Sequence, residues 1–255
     1  MRFVDLSMPL DDVVPVDPPF LRPKIEYKDH IGGLKDMYNM YGILPEQLPD
    51  GQGLAAETVT ITTHAGTHVD APWHYHPTMN HGEKAWTIDE VPLDWFFRPG
   101  VKLDLRHLPS GTLVMPEDID AALEAIDYTL KPFDIVLMNT VAADAYGRDD
   151  YVDTGIGFGR AATLHLTNQG VRVVGTDAWG WDLPIPVNRA NFEATGDPSI
   201  VWEGHKAGAD VAYCQIEKLQ HLDSLPSHGF TVACFPAKVR GASAGWTRAV
   251  AIFED

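Results

Sequence analysis

Eleven residues, His64-Ala65-Gly66-Thr67-His68-Val69-Asp70-Ala71-Pro72-Trp73-His74, constrain this chain more than any other stretch. They gather three imidazoles and a carboxylate whose side chains must meet if they act together. A helix cannot bring them together, because it places His64 and His68 on one face but turns Asp70 about 200° away from His68. A straight strand points all three the same way, yet at about 3.3 Å per residue it holds the two histidines roughly 13 Å apart. Metal bonds of about 2 Å cannot bridge that gap. The segment must therefore be extended with a sharp bend between the histidines, where Gly66 is free to take positive φ. The β-branched run Thr58-Val59-Thr60-Ile61-Thr62-Thr63 predicts a strand leading into that bend.

Imidazole nitrogen and carboxylate oxygen suit borderline divalent ions such as zinc or manganese, and three protein ligands leave a position open for water. His64, His68 and Asp70 form the candidate metal set. His74, just after Pro72 and Trp73, is the candidate proton shuttle. A pattern fixing seven residue types arises by chance at roughly one in 10⁹ positions, so it differs from the usual short motif. His76 and His81 are weaker candidates for the rim of the site. The isolated His30, His107, His165, His221 and His228 read as structural.

With 255 residues the chain can bury a sizeable core, and we read one domain over 1–255. The net charge of -17 is scattered, and no Lys/Arg cluster occurs. That argues against nucleic acid or an anionic membrane as partner and favours a small-molecule substrate. Cys214 and Cys234 lie in apolar runs without metal or redox spacing and read as reduced and buried. The start of the chain has no signal-like apolar region, and no run approaches the ~18 apolar residues of a membrane span. The expected location is cytoplasmic.

Residues 3–8 predict a strand, followed by a proline-rich loop through Val14-Pro15-Val16-Asp17-Pro18-Pro19. From about 21 to 56 the aromatics, glycines and prolines show no period, which predicts a long excursion serving as lid or dimer contact. Strands are predicted over 100–105, 134–140 and 171–175, and helices over 116–130 and 159–169. Strand, helix, strand in that order implies a right-handed crossover. Residues 210–254 predict two or three more strands with a glycine-rich break at 241–245.

A second polar group comes late: His205, then Gln215 and Glu217. Period-two alternation sends Tyr213, Gln215 and Glu217 to one face of their strand, which is either solvated or part of a site. Here the chain resembles the cyclase superfamily of metal-dependent hydrolases, which includes bacterial kynurenine formamidase and isatin hydrolase. The resemblance rests on the 64–74 motif, on Val4-Asp5-Leu6-Ser7, on Gly170-Val171-Arg172-Val173-Val174-Gly175-Thr176-Asp177, and on the twelve-residue spacing from His205 to Glu217. It implies a swivelling β/α/β fold, an α/β architecture with a central mixed, barrel-like sheet and flanking helices, assembled as a homodimer. It also implies one or two Mn2+ or Zn2+ ions per subunit. His64, His68 and Asp70 would hold the first ion, and Asp70 would bridge to a second held by His205 and Glu217. His74 would be the general acid/base.

Formamidase-like chains carry a tryptophan in the N-terminal loop where this chain has Val14-Pro15-Val16-Asp17. That, with the long excursion, shifts the expectation toward isatin hydrolase. Trp73, Phe20 and Gln215 are the expected substrate contacts, with Trp179 and Trp181 as further aromatics. The activity implied is hydrolysis of an amide, cyclic imide, lactam or lactone in a small aromatic substrate, the alternative being N-formylkynurenine. A metal-dependent cyclase or dehydratase and a non-catalytic metal-binding protein are the readings from other classes.

Overall fold

The computed structural model describes residues 1–254. Its centre is a nine-stranded, curled mixed sheet, whose strands we number in chain order. They are β1 (Arg2–Asp5), β2 (His68–Asp70), β3 (Phe97–Asp104), β4 (Ile135–Asn139), β5 (Val173–Thr176), β6 (Cys214–Glu217), β7 (Phe230–Ala233), β8 (Ala244–Trp246) and β9 (Val250–Phe253). The spatial order is β1-β9-β7-β3-β4-β5-β6-β2-β8. The four central strands β3, β4, β5 and β6 run parallel, and every other pairing within this sheet is antiparallel.

Parallel strands need crossovers, and here helices supply them. They include α3 (Pro116–Ala125) between β3 and β4, and α4 (Arg160–Thr167) between β4 and β5. Both faces of the central strands are therefore covered. Ile135 and Leu137 join one core cluster while Val136 and Met138 join the other. That is why the 134–140 run is apolar throughout rather than alternating.

Several expectations are corrected. The 21–56 excursion has regular structure: Lys24–Lys28 pairs antiparallel with Ala56–Thr60 in a separate ribbon, and α1 (Leu34–Tyr41) lies between them. The strand predicted over 58–63 belongs to this ribbon and ends at Thr60, before the bend. Helix α3 stops at Ala125 rather than 130, because Asp127 takes φ 50 and turns the chain away. Residues 210–254 contribute four strands, not two or three. Helix α5 (Ile185–Thr195), closed by Gly196 at φ 67, escapes sequence reading because none of its residues is buried and it carries no apolar stripe. Two one-turn helices, α2 (Pro72–Tyr75) and α6 (Glu203–Lys206), are equally short of periodicity, yet they carry His74 and His205.

Candidate metal centre

The site forms where β2 meets β6, at the C-terminal end of the parallel strands, where open α/β sheets place their ligand sites. Antiparallel register sets Glu217 opposite His68 and Gln215 opposite Asp70. Opposed residues share a face with their Cβ atoms about 5 Å apart, so pairing alone brings His68 and Glu217 together. Their Nε2 and Oε2 atoms lie 3.5 Å apart.

The bend delivers His64. Gly66 has φ +61, a conformation that selects glycine, and a Cβ there would have to displace the end of the Leu10 side chain at 2.5 Å. The Gly66 carbonyl also accepts from His68 Nδ1 at 2.8 Å, leaving His68 Nε2 with its lone pair toward the carboxylates. Asp70 Oδ1 is then 2.9 Å from His64 Nδ1 and 3.3 Å from His68 Nε2, so the set read from sequence converges on one oxygen. The helical turn α2 places His74 Nε2 3.8 Å from Asp70 Oδ2. From α6, His205 Nε2 stands 3.9 Å from Asp70 Oδ2 and 3.7 Å from Glu217 Oε1.

Ligand atoms of His64, Asp70 and His74 lie within 4.8 Å of one another, as do those of His68, Asp70 and Glu217. Asp70 is common to both triplets. Its two carboxylate oxygens and His68 Nε2 are buried without a hydrogen-bond partner. Burying such atoms unpaired is costly, and a divalent cation satisfies all three at once. The donor set of imidazoles and carboxylates fits zinc or manganese.

The electrostatics agree. Burial alone would raise the Asp70 carboxyl, but His74, His68 and His64 around it hold it well below the usual range. Glu217 is pushed up, by burial and then by repulsion from Asp70. Two buried carboxylates in contact call for a shared positive charge. Burial drives His74 down to about 4, helped by the neighbouring imidazoles His64, His205 and His68, so its ring is neutral at pH 7.

Three participants escape sequence reading because their partners are distant in the chain. Asp182 accepts from His205 Nδ1 and from the backbone N–H groups of Gly204 (2.8 Å) and His205 (3.1 Å), fixing both the tautomer and the start of α6. Burial disfavours charge on His205, but Asp182 outweighs it and raises the imidazole. Lys218, fully buried, donates to Asp17 and to the His64 carbonyl at 2.8 Å. Asp17 in turn accepts from Trp179 Nε1 and the Gly66 amide, so the proline-rich loop is tied to the bend.

Above this floor opens a cavity of about 720 Å³, lined at its base by His64, His74, His205 and Glu217 and higher up largely by apolar side chains such as Leu21, Ile156, Leu183, Phe192 and Trp202. The polar face of β6 is thus part of a buried site and not solvated, since Gln215, Glu217 and Lys218 are all buried. The expected substrate contacts fall elsewhere. Phe20 is 83% exposed and Trp73, on the outer side of α2, is 41% exposed; neither lines the cavity. Gln215 is fully buried and donates to the Tyr213 hydroxyl, which donates to the Gly204 carbonyl, so it braces α6 from beneath. Trp181 is fully buried with Nε1 on Thr163, while Trp179 does line the cavity. Of the remaining histidines, His76 bonds within its own turn and His81 faces Asp210.

Residues 4–183 match the family model described as "Putative cyclase". The chain belongs to the cyclase family. Over 195 residues it is 29% identical to the kynurenine formamidase of Salinibacter ruber (strain DSM 13855 / M31), covering 76% of this chain and 77% of that protein. Its fold is that of isatin hydrolase. Isatin hydrolase A from Ralstonia solanacearum superposes with a TM-score of 0.76 at 20% identity, over 99% of this chain and 92% of that one. An isatin hydrolase bound to the product analogue thioisatinate gives 0.74 at 20% identity, over 100% and 93%.

Proposed function

We propose that this protein is a metal-dependent hydrolase that opens an amide, cyclic imide, lactam or lactone bond in a small aromatic substrate. The observation that carries the reading is the convergence of orphaned, buried ligand atoms on Asp70 at the floor of an apolar cavity, with a neutral imidazole beside them. His64, His68, Asp70, His205 and Glu217 would hold one or two zinc or manganese ions. Such an ion supplies Lewis acidity, easing deprotonation of water and polarising a carbonyl oxygen.

The chain's own groups do the rest. His74 Nε2 accepts the proton of the attacking water and returns it to the departing nitrogen, or to oxygen in a lactone. Asp182 keeps His205 in one tautomer, and Gly66 does the same for His68. The apolar walls exclude bulk water, so charges at the floor interact strongly. N-formylkynurenine is the second reading, favoured by the formamidase relative. A homodimer is part of the proposal too, since the 24–60 arm exposes Tyr27, Tyr38, Met40, Tyr41 and Val59.

The test is a panel of isatin, N-formylkynurenine, simple lactams and simple lactones with metal-loaded protein, read by product mass. Gain of one water supports hydrolysis, whereas loss of water would identify a dehydratase. His74→Ala should keep its metal and lose about 10²–10⁴ in kcat. Undiminished turnover in that variant would remove His74 from the proton path.

A further inference from the structure

Lys218 and Asp17 lie 201 residues apart in the chain, and both are almost completely buried, at 1% and 2% exposure. Charged side chains sit so deep only when paired, and here the Lys218 ammonium donates to Asp17 Oδ1. Lys218 also holds φ 61. Left-handed backbone is strained for a lysine and persists where the surrounding structure imposes it. What the conformation achieves is visible in the cavity. Successive residues of a strand face opposite sides, yet Lys218, the first residue after β6, lines the same cavity as Glu217, the last residue of that strand.

The other partners of the pair fall on the bend. Thr62 accepts from the amides of His64 and Ala65 within the same turn. The groups on either side of Ala65 go to the ion pair instead: Lys218 Nζ donates to the His64 carbonyl at 2.8 Å, and the Gly66 amide donates to Asp17 Oδ2 at 3.3 Å. One pair of charges therefore takes the bend from both sides. Asp17 Oδ1 also accepts from Trp179 Nε1 at 3.0 Å, and Lys218 Nζ stands 5.4 Å from the centre of that indole, within cation–π range. His64 has need of such support. It lies on no strand or helix, and its side chain is 25% exposed, whereas those of His68 and Asp70 are buried. Its ring meets Asp70 Oδ1 at Nδ1 and Ser243 Oγ at Nε2, each at 2.9 Å.

We infer that Lys218 and Asp17 form a clamp that positions His64 as a metal ligand, fixing the bend so that Nδ1 meets Asp70. The inference rests on the metal-centre reading above and is independent of the substrate. Both are positioning residues: they lie outside the two ligand triplets and act through the main chain of residues 64–66. The competing account is a through-space effect of the ammonium on Glu217, its neighbour in sequence.

Manganese affinity, measured by competition with a chromophoric chelator, separates the two in wild type, Lys218→Met and the double variant Asp17→Asn/Lys218→Met, each with and without His64→Ala. Lys218→Met should weaken the ion about tenfold, the lower part of the range for contacts that orient ligands. It should also lower the urea midpoint, because it leaves Asp17 buried without its counter-ion. The double variant buries no unpaired charge, so its midpoint should stay near that of the wild type while the same affinity is lost. In the His64→Ala background neither change should weaken the ion further by more than about twofold, as expected for groups acting through one residue. Wild-type affinity in the double variant would overturn the clamp. So would the full loss persisting in the His64→Ala background, which would assign the effect to Glu217. The double variant decides the matter alone if Lys218→Met does not fold. Hydrogen exchange of metal-free protein gives a second readout: the amides of residues 64–67 should exchange about tenfold faster in the double variant, since one local opening governs both measurements. Unchanged exchange there would overturn the clamp as well. A wild type that binds no manganese, yet shows the faster exchange on substitution, counts against the metal centre and not against the hold of the pair on the bend.

Discussion

Asp70 illustrates how residue type, burial and register combine into chemistry. It is fully buried, its carboxyl is held low by three imidazoles, and its oxygens have no hydrogen-bond donor. A buried carboxylate in this state is suited to a cation. Around it the tautomers are set one contact away, His68 by the Gly66 carbonyl and His205 by Asp182. Outer contacts of this kind typically change metal affinity 10–100-fold when removed. Asp182→Asn should therefore weaken the metal by about that factor with little change in fold, measured by competition with a chromophoric chelator. An unchanged affinity would show that Asp182 only starts α6. Among the candidate site residues, His64, His68, Asp70 and His74 were legible because they fall in one motif, and His205 and Glu217 because of their twelve-residue spacing and the family resemblance. Asp182, Lys218 and Asp17 were not, since each acts on a partner whose position only the folded chain reveals.

At the scale of elements, the bend between His64 and His68 is the feature that geometry required and the structure supplies. Ala at Gly66 must take a left-handed φ, costing about 1–2 kcal/mol, and must also displace Leu10. Gly66→Ala should lower the urea midpoint and weaken metal binding together. A normal metal affinity in a destabilised variant would uncouple the bend from the site. The parallel strands and their crossovers were readable from continuous apolar runs, because both faces of the sheet are covered. Helix α5 and the 24–60 arm were not readable, because neither buries an apolar face. The one-turn helices that carry His74 and His205 are too short to imprint any period on the sequence. Trp73 is a related case: proximity in sequence to candidate ligands does not say which side of a helical turn faces the cavity.

For the molecule as a whole, the excess of acid, 36 carboxylates against 19 Lys and Arg, is spread over the surface and leaves binding to the cavity. No helix among the described residues is long and apolar enough to cross a membrane. One buried carboxylate outside the site couples the fold to pH. Asp177, fully buried, is pushed up to about 7 by desolvation, against hydrogen bonds from the Thr140 amide and hydroxyl at 2.7 and 2.6 Å. The folded form keeps a proton there that the unfolded chain has lost. The stability from this group is complete below about pH 4 and disappears as pH rises through 7. Urea unfolding should show Asp177→Asn gaining on the wild type between pH 5 and 8. A constant difference across that range would mean that the carboxyl titrates normally.

The central claim, that ligands converging on Asp70 hold a catalytic divalent ion, is tested most directly by metal content and turnover of the wild type and Asp70→Asn side by side. After dialysis the wild type should retain one or two equivalents of zinc or manganese and hydrolyse a member of the amide and lactam panel, while Asp70→Asn should retain none and be inactive. A full metal complement in Asp70→Asn, or undiminished turnover by chelator-stripped wild type, would contradict it.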